Sequence, residues 1–242
     1  MLFFSLGFER TGYADLTPQS MLTDEERQLF EETFHGGLRY EAIATETMVD
    51  LEAWLSSGAT YRVYSNDGPE RIEVHRFQEM AGDSAFEYTL NDQESQFLTL
   101  VGGEDLEISG AIDRKEGVRT EFLPPKPLVP DGFSRGDTLR RHVKVRISDV
   151  VRSDRIRHQG ELDVVLTNLG GFHARWSDGD VDLLLLRVES QGKIGPATLV
   201  HRQYWFFSGD GLAAFVEARK ISAFGIYQKS DRQGWLRCKA IE

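Results

Sequence analysis

With a single cysteine in 242 residues, Cys238, the chain can form no intrachain disulfide and no thiolate metal cluster. Long apolar runs are missing too. Met1 to Phe8 is far too short to span a bilayer and is broken by Glu9 and Arg10, so no transmembrane segment is expected. Basic residues are the minority, 28 Lys and Arg against 39 Asp and Glu, and a net charge of -11 argues against nucleic acid, whose phosphates such a field repels. Catalytic signatures are also missing: there is no Gly-x-Ser-x-Gly elbow, P-loop, dinucleotide fingerprint or His-Glu-x-x-His. These absences leave no cofactor and no metal to assign and point away from an enzyme.

What is present is strand pattern. A chain of this length buries a core without staples, and one domain over residues 23–242 is expected after an N-terminal tail or signal remnant over 1–22, where Gly12-Tyr13-Ala14 has the small-x-small form of a cleavage site. The clearest helix runs from Thr23 to His35: Thr23 and Glu26 form a capping box, Leu29, Phe30 and Phe34 share a face, and Gly36-Gly37 ends it. Met48 to Leu55 fits both helix and strand and is read as a helix. From Leu38 onward the period is two. Asn66-Asp67-Gly68-Pro69 marks a hairpin, and alternating segments recur through Trp235. Residues 122–132 hold four of the seven prolines and read as a stiff loop crossing one continuous sheet. Leu183 to Leu186 is apolar on both faces, as for a strand covered twice. Tyr204, Trp205, Phe206 and Phe207 likewise place aromatics on both faces.

Between 135 and 158 there are eight Lys or Arg against three Asp, and His142, Lys144 and Arg146 alternate with Val143, Val145 and Ile147 to give a strand one basic face. Two readings stay open: contact with an anionic headgroup or acidic partner, or cross-strand neutralisation by Glu161 and Asp163. Asp178, Asp180 and Asp182 lack the rest of a calcium loop and read as a solvated turn.

Gly171-Phe172-His173-Ala174, then Tyr204-Trp205-Phe206 and Gly209-Asp210-Gly211-Leu212, with the proline-bearing approach from Pro124 to Gly136, resemble a bacterial envelope family of uncharacterised proteins related to the lipoprotein-localisation carriers. The likeness covers roughly residues 120 to 220. It implies a strongly curved antiparallel half-barrel with helix cover, a periplasmic or cell-surface location and an apolar concavity able to hold acyl chains. Arg175-Trp176 and the missing lipobox cysteine depart from the pattern.

The expectation is therefore an α+β, mostly β fold, one curved antiparallel sheet with the N-terminal helix on its concave side. Its expected function is non-catalytic binding of a lipid or acyl chain, with Phe30, Phe34, Trp205 and Phe207 as lining or cover and His142, Lys144 and Arg146 at the headgroup. The competing reading is an envelope scaffold with a self-filled core and a protein partner; an unrecognised hydrolase comes last.

Overall fold

A computed structural model describes residues 22–34, 39–43, 49–56, 58–66, 68–80, 84–176, 179–224 and 226–238. The expected tail lies outside these residues except for Leu22. In chain order the elements are α1 (Asp24–Thr33), β1 (Arg39–Ile43), α2 (Leu51–Ser56), β2 (Ala59–Ser65), β3 (Gly68–Glu79), β4 (Ala85–Thr89) and β5 (Glu94–Val101). There follow β6 (Asp105–Asp113), β7 (Val118–Val129), β8 (Thr138–Asp149), β9 (Ile156–Trp176), β10 (Gly179–Ile194), β11 (Ala197–Ser208), β12 (Gly211–Ala223) and β13 (Tyr227–Cys238).

Neighbouring strands from β2 to β13 pair antiparallel in sequence order, and β13 returns to β2 through Trp235 opposite Val63. The result is a closed twelve-stranded barrel, which overturns the expected open half-barrel of α+β class. The alternating pattern was read correctly, but alternation is the same in an open and a closed sheet. What decides is whether β2 and β13 meet, and their pairing leaves neither of them as a free edge. β9 is long enough to serve twice: residues 156–167 pair with β8, and residues 171–175 pair with β1.

The proline segment is also not a crossing loop. Residues 122–129 belong to β7, whose ladder to β6 breaks between Gly110 and Ile108, so the prolines fall where pairing is irregular and no donor is demanded of them.

Every strand of the ring sends side chains into one interior cluster, including Tyr61, Tyr88, Leu98, Leu128, Val143, Leu166, Trp205, Phe207, Phe215 and Trp235. α2 turns Trp54 and Leu55 into the same cluster at the end of the barrel marked by the β11–β12 turn. There Gly211, at φ +117°, sits where any Cβ would strike the Trp54 ring, so the turn needs glycine both for its backbone and for the helix to seat.

α1 lies on the outside, correcting its expected place on a concave face. Phe30 meets Tyr204 and Phe206 edge-on at 4.9 and 5.1 Å, and these rings occupy the opposite pleat from Trp205 and Phe207. Leu183 and Leu185 are buried in this outer cluster while Leu186 faces inward, so the double-faced leucine run is covered twice, as its sequence implied. The capping box forms, with Thr23 N donating to Glu26 Oε2 at 2.7 Å and Glu26 N donating to Thr23 Oγ1 at 3.2 Å. The other Glu26 oxygen accepts from Arg187 Nη1 at 2.9 Å and from Tyr204 Oη at 3.0 Å, fastening the helix to the wall. Burial alone would raise the Glu26 pKa, yet the Thr23 amide, Arg187 and Tyr204 hold it below the usual carboxylate value.

Two outcomes are expected. Trp205→Ala should cost about 3–5 kcal/mol in urea unfolding, since a fully buried indole leaves a cavity among fixed neighbours. Glu26→Gln should cost roughly 1–3 kcal/mol at neutral pH. Because the Glu26 pKa is lowered on folding, its contribution is complete above the ordinary carboxylate pKa and is lost as pH falls through the lowered value, so the stability gap between wild type and Glu26→Gln should close in acid. A gap that does not change with pH would refute the assigned ion pair.

Candidate functional site

The four apolar candidates separate onto two faces of the wall. Trp205 and Phe207 are fully buried inside, where Trp205 packs on Phe215 at 4.6 Å and Phe215 stacks on Trp235 at 4.2 Å. Phe30 and Phe34 are outside, against Tyr64, Tyr204 and Phe206. They do not line one site. Near α2 the interior is aromatic throughout: Trp54 meets Phe77, Tyr88 and Phe207, while Tyr61 stacks on His75 at 4.3 Å. Tyr61 donates its hydroxyl to the Leu212 carbonyl at 2.6 Å, and His75 Nδ1 lies 2.7 Å from Tyr88 Oη. Burial lowers the His75 pKa despite the opposing effect of Glu73.

His142, Lys144 and Arg146 do come together. They line an outer groove of about 900 Å³ over β8, β9 and β10 with Leu123, Gln159, Glu161, Asp163 and Lys193. The register sets Asp163 opposite His142 and Glu161 opposite Lys144. His142 Nδ1 lies 2.9 Å from Asp163 and its Nε2 3.4 Å from Glu161, while Arg146 pairs with Glu121 at 2.8 Å. Cross-strand neutralisation, one of the two open readings, is thus what the geometry contains for His142. Among the described residues Lys144 and Lys193 carry no ion pair, so the groove keeps some positive character. Asp180 and Asp182 are likewise engaged, by Arg175 at 2.8 Å and by His173 at 2.8 Å; Asp178 lies outside the described residues.

Away from α2 the inner face turns polar, a region the sequence reading missed. Gln203 and His201 continue the inward pleat of Trp205, and Glu217 and Arg219 that of Phe215; Gln203 stands opposite Glu217. His201 Nε2 lies 2.9 Å from Glu217 Oε2, and Gln203 Nε2 donates to the same oxygen at 3.5 Å. Burial would raise the Glu217 pKa, but the His201 contact and the charges of His201 and Arg219 bring it below the usual value. From β7, Lys126 shares the inner face with Ile108 opposite it, and its nitrogen stands 4.2 Å over the Phe122 ring. Burial pulls the Lys126 pKa down to about 8, against the Glu217 charge across the lumen. Counting alternation outward from Trp205 and Phe215 would have found the β11 and β12 residues. Lys126 was hidden because it stands between two prolines in a segment read as loop.

No family model matches the sequence, and no curated protein matches it. Two solved structures are similar to parts of it. The hypothetical lipoprotein YmcC from Escherichia coli aligns at 10% identity and a TM-score of 0.40, over 76% of this chain and 88% of that one. A protein from Bacteroides fragilis, taken to be exported and to have a YmcC-like fold, aligns at 11% identity and a TM-score of 0.38, over 80% of this chain and 98% of that one. Kinship with lipoprotein-localisation carriers is not among what these likenesses show. At such scores the function has to be argued from this chain's own residues.

For the outer groove the expected outcome is spectroscopic. The Asp163 contact raises the His142 pKa above the ordinary histidine value, aided by Glu161, so an NMR titration should find His142 high and Asp163→Asn should lower it. A His142 titration indifferent to that change would remove the pair.

Proposed function

We propose that the chain is a non-catalytic interaction or scaffold protein of the cell envelope, built on a barrel whose apolar interior is filled by its own aromatic rings. The observation that carries this is the mutual packing of Trp205, Phe207, Phe215 and Trp235, each buried within the ring. A carrier of acyl chains needs apolar lining that can meet a ligand. Here those rings meet one another, and each acyl methylene, worth about 0.8 kcal/mol on burial, would have to displace a contact already made.

The exterior supports the same reading. Charged side chains line the outer groove while aromatics fill the inside, the reverse of a barrel that faces lipid. Among the described residues no helix is long and apolar enough to cross a membrane, which does not bear on strands. The β12–β13 hairpin ends in Phe224, Ile226 and Tyr227, all exposed, an apolar tip suited to a protein partner. The outer groove, with Lys144 and Lys193 free of ion pairs among the described residues, suits an acidic segment of such a partner. The envelope setting rests on the motifs between Pro124 and Leu212.

Organic extraction of purified protein followed by mass spectrometry tests the choice between scaffold and carrier. Clean extracts are expected. Recovery of about one lipid per chain would overturn the scaffold reading in favour of the carrier.

A further inference from the structure

Among the described residues, several polar atoms on the inner wall have no partner. Lys126 is only 7% exposed and, apart from the Phe122 ring, no hydrogen bond or ion pair reaches it among the described residues. Gln203, 4% exposed, leaves its Oε1 unbonded, and Ser190, 2% exposed, leaves its Oγ unbonded. The Trp205 indole nitrogen is unbonded beside them. Buried polar atoms in folded proteins are nearly always paired, so several orphans on one inner face mark a place made to receive partners.

They share one neighbourhood. Ser190 stands opposite His201, and Gln203 stands between Val188 and Glu217, so β10, β11 and β12 present them side by side. Lys126 on β7, opposite the inward Ile108, stands across the ring from β12, and the Glu217 charge acts on it. The side chains of Glu217 and His201 keep 22% and 15% of their surface accessible although they point inward, so solvent-sized molecules reach this part of the inner wall. Glu94 on β5, whose carboxyl burial pushes upward, is influenced by Glu217 and Arg219 and makes no ion pair among the described residues.

We infer that the polar half of the barrel interior binds a small organic acid bearing hydroxyl or amine donors, its carboxylate held by Lys126 and its donors by Gln203 Oε1 and Glu94. One negative charge is all the site favours, because Glu217 and Glu94 repel more. A plain fatty acid has no donors for the orphaned acceptors. The site borders the aromatic half at Trp205, and a ligand held by Lys126, Gln203 and Glu94 need not disturb the packing of Trp205 on Phe215.

Calorimetric titration of the whole protein with glycolate, L-serine, butyrate and inorganic phosphate tests this. Glycolate or L-serine should bind saturably; saturation by L-serine where glycolate, which lacks an amine, does not bind would assign the donor to the amine, and saturation by glycolate shows that a hydroxyl suffices. Butyrate and phosphate should be weaker by about tenfold or more, and Lys126→Met, with its fold checked by circular dichroism, should lose about tenfold or more. If that variant does not fold, Gln203→Met replaces it with the same expected loss. The inference fails if neither glycolate nor L-serine saturates, if butyrate binds equally well, or if binding survives the substitution, since ordered water would then suffice for the orphaned groups. Because lipid extraction interrogates the aromatic half, failure here leaves the scaffold reading standing.

Discussion

Hydrogen bonding between β13 and β2 is the constraint on which the rest depends. A long antiparallel sheet with free edges exposes unpaired amides and carbonyls, and curvature alone does not remove them. Joining the two edges does, and it also separates each strand's pleat into an enclosed side and an outer side. The enclosed side then has to be filled. Aromatic rings and the plugging helix α2 do this at one end, and a paired acid, a histidine and a lone ammonium occupy the other.

The outer side is used unevenly. Over β9 to β13 it carries a second apolar layer, which α1 covers and Glu26 fastens to Arg187 and Tyr204. Over β8 and its neighbours it is a polar wall in which opposite charges alternate across the ladder. This explains why β10 and β11 read as apolar on both faces while β8 reads as apolar on one. Core and cover draw on the same strands, so Tyr204 and Trp205 are adjacent in sequence and belong to different layers.

Much of the architecture was legible because it is local. The capping box at Thr23, the hairpin around Asn66 and Gly68, and the two-sided burial of Leu183 to Leu186 follow from spacing along the chain. Closure was not legible, since the partner of β2 lies at the far end of the sequence and no local signal names it. The proline segment misled for a related reason: proline argues against a central strand unless the ladder is already irregular, and that irregularity is a property of β6 and β7 together. Of the candidate site residues, the basic trio was found with its neutralising partners because one hairpin places them opposite each other. The apolar four were read together as lining or cover of one concavity, because without knowing the wall was closed there was no inside to distinguish from an outside.

The seam has a temporal consequence. Of the described strands β13 comes last in the chain, and until residues 227–238 are in place the edge of β2 away from β3 has no mate. If the other eleven strands of the ring pair before β13 docks, they form an open ribbon with one aromatic face in water, a state prone to pairing with other chains. Closure by β13 thus competes with pairing of that exposed β2 edge to another chain.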